Sequence, residues 1–215
     1  MDGSGRVSEL VKKQVYFVRH GETEWNALKK FQGHTDIPLN ENGRQQAETL
    51  IELVSKIDPH FVLSSDLSRA LETAQIACRE IQISIMTHPE LRETHLGAAE
   101  GMMRDDLFDK HGEDLMNRWF STEPEDAHFS FPGGETKHQC MQRVKGFLQQ
   151  WWLQSKDRHQ AERVMVFSHG GVIRNMVHSS LDAPETPVLI SNCVCQLLEY
   201  DLQSGQWRYV RQVNS

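Results

Sequence analysis

Arg19-His20-Gly21-Glu22-Thr23-Glu24-Trp25-Asn26 follows directly on the apolar run Val15-Tyr16-Phe17-Val18. This order puts a guanidinium and an imidazole where a buried strand ends and a loop begins, the edge at which open α/β sheets bind ligands. The arrangement recurs downstream, where Val164-Met165-Val166-Phe167-Ser168 leads into His169-Gly170-Gly171. Two strand-then-His-Gly units predict two imidazoles meeting over one pocket. The glycines let backbone N–H groups come close to a ligand there.

Outward from these strands, helical and strand periodicities alternate. Ala47, Leu50, Ile51, Val54 and Ile57 recur at helical spacing and predict a helix over about 42–56. Phe61-Val62-Leu63 reads as a short buried strand, and a second helix starts near Asp66 with Ala70, Leu71, Ala74 and Ala77 on one face. Ile81–Met86 reads as a third strand. A helix capped by Thr136 runs to about Ser155. Arg163–Phe167 is a strand, Gly170 to Ser179 a helix, and Cys193–Tyr200 with Trp207–Val213 a closing hairpin. Between them, residues 98–135 carry Pro124, Pro132, Gly133 and Gly134 and support a helix only around 105–120. The expected fold is a three-layer α/β/α sandwich: a mostly parallel sheet with one antiparallel edge strand, helices on both faces, and 98–135 as a small inserted cap.

The chain has 215 residues, enough for one domain with a sizeable core. We assign it to residues 14–215, behind a polar N-terminal tail at 1–13 without the apolar core of a signal peptide. Twenty-three basic and 30 acidic residues give a net charge of −7, which argues against a nucleic-acid or anionic-membrane partner. No stretch approaches the ~18 apolar residues of a membrane span. A cytoplasmic protein is expected, its oligomeric state open and a dimer included. Cys193 and Cys195 flank Val194 and would share one strand face, but Cys78 and Cys140 offer no matching pair for zinc. Reduced packing cysteines are the reading.

Arg69 falls in the first turn of its helix, where a cation opposes the helix dipole by ~0.3–1 kcal/mol. A bound anion reverses that sign. Arg19 and Arg69 together offer planar forks suited to phosphoryl oxygens, and a phosphomonoester carries about −1.5 to −2 at pH 7. Of the eleven histidines, His20 and His169 stand out by placement. His34, His60, His88, His111, His128, His138, His159 and His178 read as surface or satisfied core residues, and His95 stays open. No metal-ligand set is visible.

Six blocks in order, RHGETEWN, FQGHTDIPLNENG, SSDLSRALETA, LRETHLG, PGGET and FSHGG, resemble the histidine phosphatase, or phosphoglycerate-mutase-like, superfamily over about residues 14–200. The resemblance implies that His20 is a nucleophile forming a phosphohistidine. It implies that Arg19, Arg69 and His169 hold the phosphoryl oxygens, with Gly170 beside them. Glu93 would protonate the leaving oxygen and then deprotonate water, while Thr23, Asn26, Gln32 and Gly33 line the substrate site. It implies no cofactor and a small phosphomonoester as substrate. His20 must be neutral to attack, as an imidazole of pKa near 6.5 mostly is at pH 7.

Glu93-Thr94-His95-Leu96-Gly97 departs from the mutase pattern Glu-Arg-His-Tyr-Gly and looks like the phosphatase branch, near α-ribazole, broad-specificity and sugar bisphosphate phosphatases. Mutase-type transfer and a non-catalytic phospho-ligand module are the alternatives. Ala98-Ala99-Glu100-Gly101 replaces an aromatic found in relatives and is expected to open space beside the acid. Residues 100–126 hold nine carboxylates against Arg104, Lys110 and Arg118. A solvated acidic helix is the reading; if that face lined the entrance instead, it would favour leaving groups that are neutral or cationic, hence substrates with a single phosphate.

Overall fold

A computed structural model describes residues 12–121, 123–181, 188 and 190–213. In chain order the elements are β1 (Lys12–Arg19), α1 (Glu24–Ala27), α2 (Glu41–Glu48), α3 (Ile51–Ile57), β2 (Phe61–Ser64), α4 (Ser68–Ala77) and β3 (Ile85–Thr87). Then come α5 (Arg104–Phe120), α6 (Lys137–Leu153), α7 (Lys156–Gln160), β4 (Arg163–Ser168), α8 (Gly170–His178), β5 (Cys195–Asp201) and β6 (Trp207–Val213). The two His-bearing runs become the central strands of a six-stranded sheet of order β3-β2-β4-β1-β5-β6. β3, β2, β4 and β1 are parallel, and β5 runs against β1 with β6 paired outside it, giving the expected antiparallel edge.

Both faces of the centre are covered, which is why its strands read as unbroken apolar runs. Val15, Phe17, Val164 and Val166 point into one core with Val144, Leu148, Trp151 and Trp152 of α6 and Ile173, Met176 and Val177 of α8. Tyr16, Val18, Met165 and Phe167 point the other way, onto Leu53 and Val54 of α3 and Ala74 and Ala77 of α4. Each fully buried Val, Leu or Phe contributes about 1.5–3 kcal/mol. A third cluster (Leu96, Ala99, Leu107, Met116, Trp119, Phe129 and Phe131) lies under the cap, giving that insertion its own small core.

Several boundaries move. The helix expected over 42–56 is two, α2 and α3, broken at Thr49–Leu50. β3 is only three residues long and begins at Ile85, after an irregular 81–84. β1 starts at Lys12, so Lys12 and Lys13 belong to the sheet and not to a tail, and the remainder of the expected tail, 1–11, lies outside the described residues. Cys193 sits before β5 in a left-handed turn (φ 55), so it does not share a strand face with Cys195. All four cysteines are free, with thiols pushed up to about 12 by burial. No helix among the described residues is long and apolar enough to cross a membrane.

Candidate active site

The site follows from register. Arg19 at the end of β1 is paired with Ser168 at the end of β4, and the His20 N–H donates to the Ser168 carbonyl at 3.1 Å. The residues that follow, His20 and His169, therefore meet, their rings edge to face with centroids 5.2 Å apart. The chain leaves β1 toward β2 on one side and β4 toward β5 on the other, so this crevice is a topological switch point. Gly21 is required by contact: a Cβ there would strike the Gly43 carbonyl at the start of α2.

His20 is 3% exposed, and its Nδ1 lies 2.6 Å from the Gly21 carbonyl oxygen. That oxygen can only accept, so Nδ1 carries the proton and Nε2 keeps its lone pair. Burial first, then the charges of Arg69 and Arg19, holds the His20 pKa well below 6.5. His169 is held well below 6.5 too, by burial, Arg69 and His20, and neither ring nitrogen has a hydrogen-bond partner among the described residues. Both imidazoles are neutral at pH 7.

The cations are equally fixed. Arg69 is 0% exposed at the second position of α4, donating to the Thr35 carbonyl at 2.9 Å and the Gly33 carbonyl at 2.8 Å. Gly33 presents that carbonyl from a left-handed backbone (φ 54). Burial lowers the Arg69 pKa to about 10, leaving it charged. Arg19 donates to the Ile190 carbonyl at 2.7 Å. The Nε atoms of both arginines are buried without partners among the described residues. An unmet buried donor costs about 1–3 kcal/mol, and an anion between the two guanidiniums removes that penalty.

Glu93 faces them from the loop after β3. Its carboxylate accepts from the backbone N–H groups of Thr94 (2.9 Å), Gly171 (2.9 Å) and Val172 (3.1 Å), the last two in the first turn of α8. It does not pair with Arg92, which makes a two-pronged ion pair with Asp66 (2.7 and 2.6 Å). His34, read from sequence as surface or core, lies with Nε2 2.8 Å from the Glu93 carbonyl and so helps hold that loop.

Arg19, His20, Asn26, Gln32, Gly33, Arg69, Glu93 and Gly170 line one cavity of about 530 Å³. Thr23 does not. It is 0% exposed, caps α1 with Asn26 and donates to Gln32 Oε1 at 3.1 Å, beneath the pocket floor. Glu135 pairs with Arg143 at 2.5 Å and supports the start of α6 outside the cavity. Among the described residues, no group of three or more His, Cys, Asp or Glu is placed to hold a metal ion.

The acidic cap face is not at the entrance. Asp105, Asp106, Asp109, Glu113 and Asp114 are exposed and none lines the cavity. Glu100 spends its carboxylate on the N–H groups of His34, Thr35 and Leu96. Ala99 is buried in the cap core and opens no space beside Glu93. Instead Lys29, Lys30, Arg104 and Arg174 complete the wall with Phe31, Trp119 and Phe120. Sequence reasoning missed these residues. Arg174 alone carried a signal, since it lies four residues after Gly170 on one helix face.

The profile of the histidine phosphatase superfamily (branch 1) matches residues 15–215. "Phosphoglycerate mutase-like protein 4" of Arabidopsis thaliana is 39% identical over 165 residues, covering 76% of this chain and 69% of its own length. A Serratia proteamaculans protein named "Probable phosphoglycerate mutase GpmB" is 32% identical over 197 residues, 90% of this chain and 87% of its own. Among solved structures, mycobacterial glucosyl-3-phosphoglycerate phosphatase with VO3 superposes with a TM-score of 0.80 at 28% identity, covering 94% of this chain and 100% of that one. The chain belongs to the histidine phosphatase superfamily.

Proposed function

We propose that this protein is a metal-independent phosphomonoesterase that works through a phosphohistidine on His20. The observation that carries the reading is the locked His20 tautomer: a buried neutral ring with Nδ1 on the Gly21 carbonyl leaves Nε2 as the nucleophile. Nε2 attacks phosphorus and the bond to the alcohol oxygen breaks. Arg19 and Arg69 bind the phosphoryl oxygens where negative charge spreads in the transition state, with His169 beside them as a neutral group. Glu93 gives a proton to the departing oxygen. It then takes one from the water that attacks the phosphohistidine, which restores His20. Gly171 lets α8 approach closely enough for its N–H groups to hold Glu93, and Gly170 leaves room for the Arg19 guanidinium. Asn26, Gln32 and Gly33 shape the substrate pocket, and Thr23 acts from below through Gln32.

The names of the two curated relatives favour a second reading, mutase-type transfer, in which the phosphoryl group returns to the substrate. Hydrolysis of para-nitrophenyl phosphate with a chelator present, by wild type and His20→Ala, tests the proposal. Phosphate release by wild type alone is expected. Release by both assigns the nucleophile wrongly. Activity that requires a bisphosphate primer and yields a product retaining its phosphate selects the mutase.

A further inference from the structure

We propose that Arg143 is a positioning residue for the proton-transfer step: its guanidinium, anchored on Glu135, holds the backbone of Glu90 to Glu93 so that the Glu93 carboxylate stands against the first turn of α8. The inference rests on the phosphatase reading, with Glu93 as proton donor, for its effect on turnover, though not for the placement of the carboxylate.

Glu93 lies in a loop that has left the sheet. β3 ends at Thr87, so the carbonyls that follow lie beyond its ladder. Side chains take them instead. Arg143 Nη1 donates to the carbonyls of Glu90 at 2.7 Å and Arg92 at 3.1 Å, and its Nη2 donates to that of Glu93 at 3.2 Å. The Ser168 hydroxyl donates to the Leu91 carbonyl at 2.9 Å. His34 Nε2 adds a second hold on the Glu93 carbonyl at 2.8 Å. Four consecutive carbonyls are thus fixed by side chains, three of them by one guanidinium. Ser168 is the last residue of β4, so the same loop is tied to the strand that delivers His169.

Arg143 is itself immobilised. Glu135 accepts from its Nη2 at 2.5 Å and from its Nε at 3.2 Å, and the two side chains are only 16% and 18% exposed. Glu135 Oε1 also accepts the His95 N–H at 2.9 Å, and the Glu135 N–H returns to the His95 carbonyl at 2.9 Å. The ion pair therefore brackets the acid on both sides in sequence, at 90–93 and at 95. A planar fork with five donors suits several carbonyls at once, as a lysine ammonium does not. Arg143 is absent from the wall of the catalytic cavity, so it touches no substrate and acts through the loop that it holds. Catalytic groups must keep their geometry within about 0.5 Å. The carboxylate of Glu93 is placed by the N–H groups of Thr94, Gly171 and Val172, and its backbone by Arg143 and His34. With the guanidinium gone, three carbonyls and Glu135 need other partners, and the loop is free to draw Glu93 away from α8.

The test uses the whole chain with propyl phosphate, whose leaving oxygen needs a proton, and para-nitrophenyl phosphate, whose leaving group departs as an anion. Arg143→Gln is expected to lower kcat/KM for propyl phosphate by at least about tenfold, part of the ~10²-fold that a misplacement of about 1 Å can cost. The loss for para-nitrophenyl phosphate should be far smaller. In a Glu93→Ala background the same substitution should change either rate by less than about twofold, because a residue that acts through Glu93 then has nothing left to position. Arg143→Lys keeps the charge but not the fork, so it should lose in the same direction, and it carries the test if circular dichroism finds Arg143→Gln unfolded. A readout independent of turnover is the amide proton shift of Gly171 and Val172, which a carboxylate acceptor moves downfield. Nuclear magnetic resonance should find both amides displaced in Arg143→Gln in the direction they take in Glu93→Ala. Wild-type rates in both Arg143 variants, or equal losses on the two substrates that multiply with Glu93→Ala while the amides stay in place, overturn the inference and leave the phosphatase standing. Displaced amides together with undiminished turnover of propyl phosphate by Glu93→Ala overturn Glu93 as the donor and leave Arg143 as the residue that places its carboxylate.

Discussion

Gly171→Ala separates the proton-transfer step from the phosphoryl pocket. An added Cβ would stand 2.5 Å from Glu93 Oε1 and 3.1 Å from its carboxyl carbon. Ordinary contact begins at 3.4 Å, so that oxygen must retreat 0.9 Å. The obstacle is the end of a flexible side chain, and alanine suits a helix better than glycine by about 0.5–1 kcal/mol. The fold therefore survives while Glu93 loses its hold on the α8 N–H groups. A misplacement of about 1 Å in an active site can cost ~10²-fold, or about 2.7 kcal/mol of barrier. That loss should fall on substrates whose leaving oxygen needs a proton. We expect kcat/KM for an alkyl phosphate to drop by about 10²-fold and that for para-nitrophenyl phosphate, whose leaving group departs as an anion, to drop far less. Steady-state kinetics on both substrates, with circular dichroism to confirm folding, provide the assay. Equal losses on the two substrates would refute Glu93 as the proton donor.

Two further outcomes follow from burial and contact. His20 and His169 have folded-state pKa values held well below 6.5, so below pH 6.5 the unfolded chain binds more protons than the folded one. The stability they contribute is present above pH 6.5 and is lost as pH falls below it, by up to about 1.4 kcal/mol per pH unit for each ring. Urea midpoints at pH 7.5, 6.5 and 5.5 should fall less steeply in His169→Asn than in wild type, and parallel curves would count against buried neutral rings. Gly21→Ala drives a methyl group into the backbone of Gly43. Unlike the clash at Gly171, no side chain can swing away, so chemical denaturation should show a loss of at least about 2 kcal/mol, and wild-type stability would contradict the packing of the His20-Gly21 loop on α2.

What the sequence made legible tracks what local chemistry controls. The two apolar runs read as buried strands, and the His-Gly steps after them marked the sheet edge. Arg69 was legible because a cation at a helix N-terminus is locally unfavourable. Glu93 was not legible from local pattern: its significance lies in the first turn of α8, 78 residues away in sequence, which only the tertiary fold brings to it. The cap was legible in part. The charges counted over 100–126 read as a solvated acidic face, as the exposed Asp105, Asp106, Asp109, Glu113 and Asp114 are, but a count has no direction and gave no sign of the cations beside them. Asp105 and Asp106 face solvent, whereas Arg104, next to them in sequence, reaches the cavity. The break at Gly112 (φ 80, ψ 167) further divides α5, so no single helical wheel describes its faces. Cys193 misled in the same way, since alternation was read through a residue that turns left-handed before its strand begins.

The central claim is a phosphoryl group carried on His20, and trapping that intermediate tests it most directly. Wild-type protein mixed with an isotopically labelled phosphomonoester should be quenched in alkali, which spares phosphohistidine. Peptide mass spectrometry should then find label on the peptide containing His20, on Nε2, and none in His20→Ala. Label on another side chain, or steady turnover with no protein-bound phosphate at any time point, would contradict the account.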